Sequence, residues 1–96
     1  MQTIDMKKIL MINQEVIYTQ VEKEIVIMDV KDGAYHGLNP VAAELWMLLE
    51  NEPMTPYAMA HYLQESYAID EPAAVADVSA FLTAMLAQDF LMPSVT

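Results

Sequence analysis

Three helix-start signals at nearly even spacing constrain this chain more than anything else in it. Asn39-Pro40, Thr55-Pro56 and Asp70-Glu71-Pro72 each place an oxygen-bearing side chain just before a proline. The side chain can cap the free N–H groups of a first helical turn, and proline in that turn gives up only a donor that has no partner there. After Asn39, the residues Val41, Leu45, Leu48 and Leu49, with Trp46 beside them, recur at helical spacing. Asn51-Glu52-Pro53 closes that helix. The second helix carries Met59, Ala60, Leu63 and Tyr67 on one face. The third runs to about Gln88, with Val75, Val78, Leu82, Met85 and Leu86 as its inward stripe. Phe81 falls at the border of that stripe, next to Asp77, Ala84 and Gln88.

Upstream the pattern changes. Residues 16–20 and 24–30 are rich in β-branched side chains and are separated by Glu22-Lys23, which predicts two strands and a turn. Asp32-Gly33 supplies a second turn, where glycine accepts positive φ without a steric penalty. A short third strand, Ala34 to Leu38, completes an antiparallel meander, and Ile9–Ile12 is a candidate extra strand. The expected fold is therefore α+β. It has a three-stranded antiparallel sheet followed by three helices, and resembles a winged helix-turn-helix. One domain over residues 1–96 is expected, with its core at about 16–92.

Composition removes several function classes. The net charge is −10, and all four cations (Lys7, Lys8, Lys23, Lys31) lie in the first third. From Asp32 onward there are nine carboxylates and no lysine or arginine. A nucleic acid needs cations to displace its counterions, so it is not an expected partner. No apolar run is long enough to cross a membrane, and Ile9–Ile12 is too short for a signal-peptide core. The expected location is cytoplasmic, which suits the absence of cysteine. His36 and His61 have no metal-pair spacing and no cysteine beside them, so neither a zinc site nor another cofactor is expected. Ser66, Ser79 and Ser94 lie in no nucleophile motif, and with only Gly33 and Gly37 no phosphate-cradling loop is available. The chain does not read as an enzyme. Most of its nine methionines read as core filler, while Met85 suits an adaptable binding surface.

Two stretches carry a resemblance. The first is Gly33-Ala34-Tyr35-His36-Gly37-Leu38-Asn39-Pro40, a GxYxxLNP pattern leading into Ala43-Glu44-Leu45-Trp46. The second comprises Thr55, Met59, Leu63 and Tyr67, then Asp77-Val78 and Phe81-Leu82, closing with Phe90-Leu91. Together they resemble the PqqD-like family of RiPP recognition elements, and most closely its stand-alone members in lasso-peptide pathways. Two departures stand out: Asp89-Phe90-Leu91 where the family often has Gly-Leu, and Asn51-Glu52-Pro53-Met54 without the family's common glycine. The resemblance implies a non-catalytic protein that binds the leader segment of a ribosomally made precursor peptide. The leader would add as an antiparallel strand beside the third strand and pack on the third helix. It would then be presented to a modifying enzyme: a leader peptidase, a cyclase or a radical enzyme.

The residues are compatible with that role. The third strand is an edge, and Ala34, Tyr35, His36, Gly37 and Leu38 include none of the charges that usually protect one. Gly37 would let another backbone approach. Beside this edge an apolar groove of Tyr35, Leu38, Val78, Phe81 and Met85 is expected, with Asp77 at its rim. Two other occupants suit the same edge: the chain's own N-terminus, or a second copy in a homodimer. A winged-helix DNA-binding protein and a general assembly subunit are the alternatives from other classes.

Overall fold

The computed structural model describes residues 4–94, so the ends of the expected 1–96 span, residues 1–3 and 95–96, lie outside the described residues. The elements in order are β1 (Leu10–Ile12), β2 (Ile17–Val21), β3 (Glu24–Asp29), β4 (Ala34–Gly37), α1 (Pro40–Asn51), α2 (Pro56–Tyr67), α3 (Glu71–Ala87) and β5 (Leu91–Pro93). β4 is the third strand of the sequence-based meander. The sheet order is β2-β3-β4, all antiparallel, and the fold is the expected α+β winged-helix-like arrangement.

All three helix starts form as the sequence dictates. Asn39 Oδ1 accepts from the Ala42 N–H at 2.8 Å, Thr55 Oγ1 from Ala58 at 3.1 Å, and Asp70 Oδ1 from Ala73 at 2.9 Å. Each such cap is worth about 1 kcal/mol to its helix. α2 ends on Ala68 in the left-handed region, at φ 53°. After α3, Asp89 takes φ 61°, the conformation that glycine adopts most easily. The departure from the family's Gly-Leu ending is thus conservative in backbone geometry, because aspartate tolerates this region better than most residues.

The inner face of the sheet, with Ile25 and Ile27, meets Ala43, Leu45, Trp46 and Leu49 of α1 in one core. Trp46 is wholly buried, and Tyr18 meets it edge-on with ring centroids 5.2 Å apart. The Tyr18 hydroxyl donates to Glu50. Burial, then the Glu50 hydrogen bond and its charge, push the Tyr18 phenol up to about 12. A raised folded-state pKa favours the neutral phenol, so its stabilisation is complete below about pH 10 and is lost as pH rises toward 12. Urea midpoints measured across that window should fall more steeply for the wild type than for Tyr18→Phe. Equal slopes would show that the phenol contributes nothing to the alkaline transition.

Two expectations need correction, and a third is met with a distant partner. The buried stripe of α3 is Ala74, Val78, Phe81, Leu82 and Met85, whereas Val75 and Leu86 are only half-buried. The stripe is turned toward its smallest member, Ala74, on the helix that packs along α2. Tyr67, expected on the inner face of α2, is exposed, and its hydroxyl donates to Glu44. Glu44 also accepts from Tyr62 at 2.9 Å, so it is a bridge between α1 and α2 rather than a freely solvated carboxylate. The expected extra strand exists, as Leu10–Ile12, but it pairs with β5 (Leu10 opposite Pro93, Ile12 opposite Leu91). The N-terminal segment therefore runs over the α1–α2 turn, where Leu10 and Met54 exchange backbone hydrogen bonds. Among the described residues it does not cover β4.

Candidate functional site

β4 pairs with β3 on one side only; its other side has no strand partner among the described residues. The pairing register shows which of its backbone groups are free. Val26 stands opposite Gly37, Ile27 opposite His36 and Met28 opposite Tyr35. The Leu38 N–H donates to the Ile25 carbonyl at 2.9 Å, so Leu38 belongs to a hydrogen-bonded pair. Antiparallel ladders alternate bonded and non-bonded pairs. His36 is therefore bonded toward β3, while Tyr35 and Gly37 turn their N–H and C=O groups toward the open edge.

The same alternation sorts the side chains. His36 and Ala34 share the inner face with Ile27 and Asp29, and His36 meets Phe90 edge-on at 5.5 Å. Tyr35 lies on the outer face with Met28 and is 72% exposed. It lies outside the groove in which it was expected. Tyr35 and Leu38 are three residues apart, and a strand's alternation puts such residues on opposite faces.

Beside the end of β4 runs a groove of about 570 Å³. Gly37, Leu38 and the first turn of α1 form one wall, and Asp77, Ala80, Phe81, Ala84 and Met85 of α3 form the other. The α3 wall follows the i, i+3, i+4, i+7, i+8 positions of one helical face. Phe81 and Met85 are 7% and 8% exposed, so they belong to the core and to the groove at once. Leu45 from α1 is fully buried and lines the groove from below. Among the described residues, Asp77 is its only charged one. Val78, expected to line it, is wholly buried in the core.

Of the nine residues singled out from the sequence, Gly37, Leu38, Asp77, Phe81 and Met85 meet around one groove. Ala34, Tyr35 and His36 lie on the strand but outside it. The sequence reading missed Val41, Ala42 and Leu45 of α1, because it took Val41 and Leu45 only as members of that helix's apolar face. The small residues Ala80 and Ala84, in step with Asp77 and Phe81, were the available signal for an open helix face.

A second cleft of about 590 Å³ lies between the β1–β2 loop, the end of β3 and the α3–β5 turn. Lys31 and Asp89 form an exposed ion pair at its rim, 2.9 Å apart. The hydrogen bond to Asp89 and its charge hold the Lys31 ammonium above its usual range. This cleft is of similar volume, but it does not border the unpaired groups of β4. No helix among the described residues is long and apolar enough to cross a membrane.

Among curated proteins, none matches this chain. Two solved structures do. TbiB1 in complex with the TbiA(beta) leader peptide superposes with a TM-score of 0.77 at 26% identity, covering 90% of this chain and 99% of that one. A lasso peptide synthetase B1 complexed with the leader peptide superposes at 0.71 with 25% identity, covering 88% and 98%. The family model described as coenzyme PQQ synthesis protein D (PqqD) matches residues 24–91, from the first residue of β3 to the first of β5, and the chain belongs to that family.

Proposed function

We propose that this protein binds the leader segment of a ribosomally made precursor peptide and performs no chemistry on it. The observation that carries the reading is the open β4 edge, with the backbone groups of Tyr35 and Gly37 turned outward beside an apolar groove. Strand addition needs both parts: main-chain hydrogen bonds supply affinity and side-chain pockets supply selectivity. A leader strand laid along β4 would send alternate side chains inward, toward Leu38, Phe81 and Met85, and the others outward beside Tyr35. The two similar structures, each solved with a leader peptide, support this use of the fold.

The bound leader would then be presented to a modifying enzyme: a peptidase, a cyclase or a radical enzyme. We place the protein in the cytoplasm, as a single domain, with a homodimer through β4 as the competing use of the edge. The direct test is calorimetric titration with synthetic leaders from the same locus, alongside hydrogen exchange. Saturable binding with slowed exchange at the Tyr35 and Gly37 amides is expected. Binding that leaves those two amides unprotected would move the leader elsewhere on the surface.

Charge makes a further prediction. Asp77 is the groove's only charge among the described residues, so leaders with lysine or arginine near it should bind better than acidic ones. An exposed pair of this kind contributes about 0.2–1 kcal/mol. Added salt should therefore weaken such a leader by less than about fivefold. Affinity that rises steeply with salt would contradict the assignment of Asp77 to the rim.

A further inference from the structure

We propose that Asp29, Asp32 and His36 form a binding site for a divalent transition-metal ion of the zinc type, at the turn joining β3 to β4. A carboxylate oxygen from each aspartate and one imidazole nitrogen all lie within 4.8 Å of one another. Ligand atoms on a tetrahedral ion with bonds of about 2.0–2.2 Å stand roughly 3.3–3.6 Å apart, so modest side-chain rotation closes the set.

Two independent features separate this cluster from an ordinary acidic turn. The first is His36, whose Nε2 is buried with no hydrogen-bond partner. Leaving a buried polar atom unpaired is costly, and a metal bound through Nε2 would remove that cost by taking its lone pair. The second is Asp29, a carboxylate only 6% exposed on the inner face of the sheet. A buried carboxylate calls for a cation or several donors. The nearest lysine, Lys31, has its ammonium on Asp89 at 2.9 Å.

The turn also holds the carboxylates in place. Asp29 Oδ1 accepts from the Lys31 N–H at 2.9 Å, and Asp32 Oδ1 from the Ala34 N–H at 2.8 Å. Each aspartate thus keeps its second oxygen for another partner. Two carboxylates and one imidazole suit zinc or a similar borderline ion, with water completing the coordination. They suit calcium poorly, since it takes six to eight oxygens and no nitrogen. The spacing Asp-x2-Asp-x3-His is no recognised metal motif, which is why histidine and cysteine spacing gave no hint of it. The site does not depend on leader binding.

The test uses the metal-stripped full chain titrated with zinc chloride. Imidazole NMR resonances and the thermal midpoint are the two readouts. His36 resonances should shift and saturate at one equivalent, and the midpoint should rise. Those of His61, exposed on α2 and already paired with Glu65 at 2.7 Å, should stay put until zinc is in large excess. Asp32→Asn keeps the Oδ1 acceptor of the turn and lies at an exposed position, so the fold is retained. It should weaken zinc binding more than about tenfold. His36→Gln, a second variant, should abolish the midpoint rise. The proposal is overturned if His36 does not respond, if His61 responds first, or if Asp32→Asn binds zinc as the wild type does.

Discussion

Phe81→Ala should lower leader affinity by more than about tenfold and should also lower the thermal midpoint. Both effects follow from one position. Phe81 is 7% exposed, and what remains exposed faces the groove between α3 and the start of α1. Truncating a packed aromatic anchor in an interface typically costs about 2 kcal/mol or more, and each 1.4 kcal/mol is a factor of ten. Truncating a buried phenylalanine costs roughly 3–5 kcal/mol of stability, a large share of the 5–15 kcal/mol that holds an average domain together. Leu82→Ala separates the two losses. Leu82 is fully buried and does not line the groove, so its truncation removes core without touching the site. It should cost comparable stability while leaving leader affinity, measured where both variants remain folded, close to the wild-type value. If the two variants bind leader equally well, Phe81 is core alone and the groove has no aromatic anchor. If both lose affinity alike, the loss reports weakened folding rather than lost contact.

How far such a site can be read in advance depends on how local its causes are. The helix starts were legible because a cap and a proline act within four residues, and Asn39, Thr55 and Asp70 each bond within their own first turn. The β2-β3-β4 meander was legible for a similar reason, since its turns at Glu22-Lys23 and Asp32-Gly33 join neighbouring strands. The pairing of β1 with β5 was not. Each strand has three residues, and the partners stand some eighty positions apart, so no local pattern encodes it. The rotation of α3 was half legible. Val78, Leu82 and Met85 were placed inward correctly, but Ala74 is too small to signal burial by hydrophobicity. Phe81 was assigned to the border and turns out to serve both core and groove. Tyr35 was misplaced for want of an argument the sequence did contain, the alternation of side chains along a strand. The Asp29–Asp32–His36 cluster was illegible because its members approach only once the β3–β4 turn has closed.

Gly37→Pro should abolish leader binding and leave the fold intact, and the ladder register explains why the two effects separate. Gly37 sits in a non-bonded pair with Val26, so its N–H points to the open edge and contributes nothing to the β3–β4 ladder. Proline there removes no internal hydrogen bond, and edge positions are where sheets tolerate proline. What it removes is one of the two outward donors on which an added strand would depend, the other being Tyr35. The proline ring also projects into the space that the added backbone needs. Gly37→Ala is the companion variant. A Cβ at this position meets no atom within 4 Å, and it would project from the outer face of the sheet rather than from its edge. Alanine should therefore bind leader within a few-fold of wild type, which shows that the amide, rather than the absence of a side chain, matters. Circular dichroism checks that both variants fold, and calorimetry reads the binding. A folded Gly37→Pro protein that still binds leader at full strength would exclude strand addition at β4 and leave the α3 groove as the sole contact.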